Sequence, residues 1–435
     1  FYTMNIEELY SLFVNCASVT TDTRNISPKT MFFALKGQNF NGNQFAEKAI
    51  ESGASYAVVD EKEFENKEKG IFFVQDTLST LQELAHYHRK QLNTPVISLT
   101  GSNGKTTTKE LITQVLSKKY NIQSTKGNLN NHIGVPLTLL SIKPKHEIAI
   151  VEMGANHQKE IETLCRIAEP DFGYITNFGK AHLEGFGGIE GVIKGKTELY
   201  HYLRNNEKKV FVNFNDSKQV ELTFDMEKIS FGTLPEADFQ FQYKLNEQGR
   251  CPEIIYNSKT IQSELIGEYN ISNVAAAVSF GLFFKVDWND IKSAIEAYKS
   301  GDNRSQITKK RNYTIVWDAY NANPSSMKAA LLNFSKIDGS KRVILGDMFE
   351  LGESSYAEHQ EIVNLAEQLD FSTLIFIGRN FCRTKINLSE RSFQFESREE
   401  FEEFLKKNPI KEENILVKGS RGMALEKLES FFAEN

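Results

Sequence analysis

An apolar run that empties into a glycine loop ending in Lys-Thr, VISLTGSNGKTTT at residues 96–108, constrains this chain more than any other stretch. A strand that feeds a helix through such a loop belongs to a parallel α/β sheet. Gly101 and Gly104 permit the tight turn that aims backbone N–H groups at a phosphate. The following helix adds its positive N-terminus, Lys105 supplies a point charge, and Thr106 offers a hydroxyl to Mg²⁺. Ser102, Asn103 and Thr107 complete the stretch expected to hold the nucleotide. The loop reads as an ATP or GTP site. Its glycines stand closer together than in G-x-x-x-x-G-K-[ST], and the competing reading is a structural turn with a surface lysine.

With 435 residues the chain exceeds one ordinary domain, and about 150 residues per domain suggests about three. A formal charge of −6 without a broad basic run argues against a nucleic-acid partner. Cys16, Cys165, Cys251 and Cys382 lie far apart with no C-x-x-C pair, so neither a zinc knuckle nor a disulfide framework is expected, and reduced thiols fit a cytoplasmic protein. No apolar run approaches the roughly 20 residues that cross a bilayer, and FYTMNIEELY lacks the basic-then-apolar pattern of a signal peptide. A monomer without membrane insertion is expected.

Strand and helix patterns alternate in three stretches, 1–92, 93–301 and 302–435. The first holds MFFAL, SYAVVD and IFFVQD as strands, helical patterns at 44–52 and 78–91, and charged EKEFENKEKG as loop. The second adds strands at 147–151, 172–176 and 209–212 and a helix at 107–117; the third restarts with TIVWD, KRVILG, TLIFIG and ILVKG. The expected fold is α/β in three domains. These are a small N-terminal α/β domain, a central P-loop-type domain with a mostly parallel sheet, and a C-terminal Rossmann-like α/β domain.

Ligands of parallel sheets gather at the carboxyl ends of the strands, and the polar motifs stand there. Glu152-Met-Gly-Ala-Asn156 and Asn177-Phe-Gly-Lys-Ala-His182 follow strands of the second domain, while AYNANPSS, DMFELG and SRGM follow strands of the third. Glu152 and His182 are candidate metal ligands beside Thr106, so two metal positions are expected. Taken singly, each also reads as an ordinary structural residue, a cap partner or a satisfied imidazole.

Taken together, TGSNGKT (100–106), the Glu152-Met-Gly turn, TNFGKAHL (176–183), DAYNANPSS (318–326), GDMFELG (346–352) with His359, and KGSRGM (418–423) resemble the Mur ligases, ATP-dependent amide-forming enzymes of peptidoglycan synthesis. The resemblance spans nearly all of the chain. Its third-domain motifs are similar to those of the member that joins D-alanyl-D-alanine to UDP-N-acetylmuramoyl-tripeptide through an acyl phosphate. A member adding a single amino acid would want an Asp-Asn-Pro-Arg type motif where this chain reads Ala322-Asn323-Pro324-Ser325. The rival outside the family is a P-loop nucleotide switch.

The resemblance implies that residues 1–92 bind the UDP-sugar, 93–301 bind ATP, and 302–435 bind the dipeptide and close on ATP through a hinge near 301–304. Lys105, Glu152, His182 and Lys196 would be catalytic. Thr106 and Glu152 would hold one Mg²⁺, and His182 and Lys196 a second. Family members carry a lysine carbamylated by CO₂ in the segment GVIKGKTELY (191–200), and Lys196 matches it better than Lys194. GEYNISN (267–273) resembles the family's G-x-H-N-x-x-N, which places Asn270 and Asn273 near adenine, although Tyr269 replaces the histidine. Arg304 and Asp318 would reach ATP. Thr23 and Arg24 would meet the UDP-sugar, Asn128 and Asn131 the muramoyl group, and Asn321, Asn323, Ser326 and Arg421 the dipeptide.

Overall fold

The computed structural model describes residues 4–247, 249–301, 306–309, 313–387, 391–410 and 413–432. Four parallel strands build the N-terminal sheet, in spatial order Ser18–Thr20, Thr30–Phe33, Ala54–Val59 and Ile71–Phe73. Met31, Phe32, Phe33, Ala57, Val58 and Val59 are buried whichever face they occupy, as strands covered on both sides require. Ser18–Thr20 carries no such apolar run, so pattern alone does not reveal it. Within the charged segment expected as loop, the chain makes two short 3₁₀ turns, Lys62–Phe64 and Lys67–Lys69; Asn66 caps the second by accepting from Lys69 N at 3.2 Å.

The helix Thr77–Gln91 starts at Asp76, whose side chain accepts from Ser79 N at 2.6 Å. Leu81, Leu84 and Ala85 fall at helical spacing and are wholly buried in a core shared with Val135 and Leu139 of the next domain. Its polar residues also cross over. Arg89 donates to Ala168 O at 2.8 Å and to Asp171 Oδ2 at 2.9 Å, His88 Nε2 to Ile142 O at 2.9 Å, and Gln82 to His132 O at 3.0 Å.

Seven parallel strands form the central sheet, in the order Phe239–Gln240, Lys228–Gly232, Lys209–Asn213, Phe172–Ile175, Val96–Thr100, Ile148–Glu152, Ile122–Ser124. The strand that feeds the glycine loop, Val96–Thr100, is buried along its whole length between Phe172–Ile175 and Ile148–Glu152. An antiparallel sheet of Gln242–Leu245, Pro252–Tyr256 and Lys259–Gln262 was not expected; its strands are short, and the two outer ones are largely polar and exposed. Helices Lys105–Leu116 and Asn270–Phe283 cover the sheet, with Phe211 and Phe280 stacked at 3.6 Å between ring centres.

The third domain is a six-stranded sheet in the order Gln306–Lys309, Tyr313–Asp318, Glu413–Lys418, Lys341–Gly346, Thr373–Ile377, Ser392–Phe395. Only Gln306–Lys309 runs antiparallel to its neighbour among these described strands. The molecule is thus α/β throughout, as expected. The carboxyl ends of the central and third sheets face a common cavity of about 1270 Å³. Among the described residues no helix is long and apolar enough to cross a membrane.

Candidate active site

Two glycines let the loop after Val96–Thr100 lie flat against its neighbours. Gly101 has φ +143°, and a Cβ there would stand 2.0 Å from Thr176 Oγ1; Gly104 has φ +78°, and its Cβ would meet Asn273 Oδ1 at 2.6 Å. Gly101→Ala is therefore expected to displace the loop and weaken nucleotide affinity by at least about a hundredfold, several lost phosphate contacts at about 1 kcal/mol each, as calorimetry with ATP would read. The loop's tip is clamped. Asn103 N donates to Asn177 Oδ1 at 3.1 Å, and Asn103 O accepts from Thr176 Oγ1 at 2.6 Å and from Asn177 Nδ2 at 3.0 Å. Ser102 Oγ donates to Gly179 O at 2.7 Å. Lys105 opens the helix, and its ammonium folds back on Gly101 O at 2.8 Å.

Glu152 ends its strand directly behind this loop and is only 1% exposed. Its Oε1 accepts from Thr106 Oγ1 at 3.2 Å and from Asn130 Nδ2 at 2.8 Å, whereas its buried Oε2 has no hydrogen-bond partner. Lys109, one helical turn beyond Lys105 and 2% exposed, places Nζ 3.9 Å from Oε2 and donates to Thr125 O at 2.9 Å. A carboxylate oxygen held in a dry site without a donor is suited to a cation.

His182 adopts φ +52° at the start of the turn Leu183–Phe186, and its Nδ1 pairs with Glu350 of the third domain, which holds that carboxyl below the usual range. Lys196 is fully buried at the end of Ile189–Lys196, with Nζ 3.2 Å from Ala155 O and 5.0 Å from the centre of the Phe186 ring. Burial, and then the charge of Lys105, push its amine well below the usual lysine range. Lys196 therefore lies under the cavity floor, whose lining includes Ala155 and Ile193. Among the described residues no three His, Cys, Asp or Glu side chains converge as a metal cage.

The third domain is docked on this floor. Asn323 Nδ2 donates to Asn103 Oδ1 at 2.7 Å, Ser325 Oγ accepts from Lys180 N at 2.8 Å, and Lys180 Nζ meets Glu358 Oε1 at 2.7 Å.

Family models match along the chain: a Mur ligase family catalytic domain over residues 15–89, a Mur ligase middle domain over 99–281, and a Mur ligase glutamate ligase domain over 303–421. The chain belongs to the Mur ligase family. The UDP-N-acetylmuramoyl-tripeptide--D-alanyl-D-alanine ligase of Bacillus subtilis is 34% identical over 421 residues, covering 94% of this chain and 92% of its own length. The ligase of that name from Escherichia coli is 31% identical, covering 98% and 96%. Among solved structures, MurF from Acinetobacter baumannii superposes with a TM-score of 0.84 at 29% identity, covering 99% and 98% of the two chains. MurF from Thermotoga maritima in complex with ADP gives 0.83 at 26%, covering 97% of each.

In this Mur ligase the residues picked out by sequence fall into three groups. Gly104, Lys105, Thr106, Thr107, Ser102, Asn103, Glu152, His182, Asn128, Asn131, Asn270, Asn273, Asp318, Asn321, Asn323 and Ser326 line the one cavity. Several of them are already committed. Asn270 donates to Ile266 O at 2.7 Å and accepts from Asn273, which in turn accepts from Thr108 Oγ1 at 3.0 Å. Asn131 Oδ1 accepts from Ile133 N at 3.1 Å and Gly134 N at 2.9 Å in the turn before Gly134–Leu140, Asp318 is paired to Lys418 Nζ at 2.6 Å, and Asn323 and Ser326 form a capping box on Pro324–Ser335. Lys196 stands just beneath the lining. Thr23, Arg24 and Arg421 are outside it: Arg24, with an 86% exposed side chain, pairs with Asp22, and Arg421 lies 5.3 Å from the centre of the Tyr320 ring. Arg304 lies outside the described residues.

Four contributors escaped the sequence reading. Asn177 and Lys180 stood in the quoted TNFGKAHL motif, and Lys418 in KGSRGM, but a motif does not say which side chain clamps a loop. Lys109 offers one signal, a lysine at helical spacing from the apolar Ile112 and Leu116 of its helix.

Proposed function

We propose that this Mur ligase joins D-alanyl-D-alanine to UDP-N-acetylmuramoyl-tripeptide at the expense of ATP. The observation that carries the reading is the docking of the AYNANPSS loop onto the glycine loop across one cavity, the Asn323 to Asn103 bond being 2.7 Å. In the reaction, a terminal carboxylate oxygen of the tripeptide takes the γ-phosphoryl group as the bond to the β-phosphate oxygen breaks and ADP leaves. The amine of D-alanyl-D-alanine then attacks the acyl carbon. The tetrahedral intermediate expels phosphate, and loss of the amine proton leaves the amide.

The chain's work is to bring anions together and hold them in line. The loop N–H groups and the N-terminus of Lys105–Leu116 face the phosphates, and Lys105 exchanges Gly101 O for a phosphate oxygen. Thr106 and Glu152 fit Mg²⁺: the orphaned Oε2 and the adjacent hydroxyl make an oxygen-only pair that leaves other positions to phosphate and water. Bound there, the ion would offset charge developing on the β- and γ-oxygens. For a second Mg²⁺ the residues do not fit as placed, because Glu350 engages His182 and Lys196 donates to Ala155 O. Lys196 as a carbamate remains part of the proposal: burial pushes its amine well below the usual lysine range, and the neutral form of an amine adds CO₂ with release of one proton. Asn128 and Asn131 are assigned to the muramoyl end of the cavity, next to Gln82 of the N-terminal domain.

Phosphate release tests the reading. It is expected only when ATP, UDP-N-acetylmuramoyl-tripeptide and D-alanyl-D-alanine are all present; release that continues at the same rate without either of the last two would overturn it in favour of a nucleotide switch.

A further inference from the structure

We infer that Asn323 is a positioning residue for the phosphate loop, coupling the seat of the amine substrate to the seat of ATP, an inference that rests on the ligase reading above. Asn103 is the loop residue concerned. Its backbone N–H and C=O are both taken by Thr176 and Asn177, so its side chain projects from a fixed point. On the other side, Asn323 is 6% exposed, and its carboxamide is used at both ends: Oδ1 accepts from Ser326 N at 2.9 Å and Nδ2 donates to Asn103 Oδ1 at 2.7 Å. Ser326 Oγ is likewise spent on Asn323, accepting from its N and donating to its O, each at 3.1 Å. Neither side chain is therefore disposed to bind the dipeptide.

The two loops interlock rather than merely approach. A Cβ on Gly179 would stand 2.9 Å from Asn103 Nδ2 and 3.0 Å from Ser325 Oγ, which leaves no room for a side chain between them. Further ties join these domains, among them Lys180 N to Ser325 Oγ and the partly exposed ion pairs of Lys180 with Glu358 and His182 with Glu350, but in none of these does the side chain of Asn103 take part. The Asn103 to Asn323 bond joins a phosphate-loop side chain to the cap of the helix Pro324–Ser335. Docking the third domain thus sets the loop's outer edge at the moment the amine substrate is brought up.

A double-mutant cycle tests this. Asn323→Ser keeps a good helix cap but is too short to reach Asn103, and Asn103→Ala removes the acceptor while leaving the backbone clamp. Each is expected to lower kcat/KM for D-alanyl-D-alanine about fivefold, and the double variant also about fivefold, because both delete one bond. Affinity of the Asn323→Ser variant for a non-hydrolysable ATP analogue, measured by calorimetry without other substrates, should change less than about twofold. Single losses that multiply to about twenty-five-fold, unchanged kcat/KM, or a drop in analogue affinity large enough to explain the loss would each overturn the coupling. If the unsubstituted chain releases no phosphate with both substrates present, the ligase reading and the coupling fall together, whereas a failed cycle in an active ligase removes the coupling alone.

Discussion

Glu152→Gln is expected to lower phosphate release about a thousandfold while leaving the chain folded. Glutamine retains Oε1 as the acceptor for Thr106 Oγ1 and Asn130 Nδ2, so the bonds that hold the side chain survive. What disappears is the charge at the orphaned Oε2. On the proposed reading that charge helps hold a cation at the phosphates, and in so buried a position its removal is not screened by water. The cost in stability should be about 1–2 kcal/mol, since Lys109 Nζ, 3.9 Å away, loses its counter-charge but keeps its bond to Thr125 O. Turnover and thermal unfolding on one preparation check both halves. A loss below about tenfold would remove Glu152 from the chemistry.

Lys196→Met is expected to cut turnover at least about a hundredfold and yet leave the fold as stable or more stable, by about 1–2 kcal/mol at pH 7 in CO₂-depleted buffer. Methionine nearly matches lysine in volume and removes a wholly buried amine whose partner is a single carbonyl. The sign with pH follows from the depressed folded pKa. The unfolded chain binds the proton more tightly, so native Lys196 destabilises fully below its folded pKa, and that penalty fades as pH rises toward the ordinary lysine value near about 10.4. The stability advantage of Lys196→Met should therefore shrink as the solution becomes alkaline. Turnover close to that of the unsubstituted chain, or an advantage that grows with pH, would contradict this. Added bicarbonate should restore nothing in Lys196→Met.

The legible parts of this molecule are those where one residue type is required by local geometry. Gly101 and Gly104 are such positions, and so is Glu152, because a lone carboxylate at the end of the buried strand IAIVE is conspicuous. The parallel sheets were legible because strands covered on both faces read as unbroken apolar runs. The antiparallel strands at 242–262 were not, because the two outer ones, 242–245 and 259–262, are exposed and share their composition with loops. Side-chain allegiance was hardest to read. Asn131, Asn270, Asn273, Asn323 and Ser326 all line the cavity, yet their polar groups are taken up by caps and by one another. An asparagine that caps a helix and one that binds a substrate are identical in sequence; only the position of the next donor separates them.

The crossing of Thr77–Gln91 into the second domain bears on how the chain folds as it is made. Leu81, Leu84 and Ala85 find Val135 and Leu139 only after roughly fifty further residues have been synthesised, and Arg89 finds Ala168 and Asp171 only after roughly eighty. Until then the helix packs only on its own domain, against Leu9, Phe13 and Phe33, and the part of its inner face that meets the second domain stays uncovered. Near residue 92 the chain passes between two sheets that share one apolar core, so the N-terminal sheet completes its packing only with its neighbour.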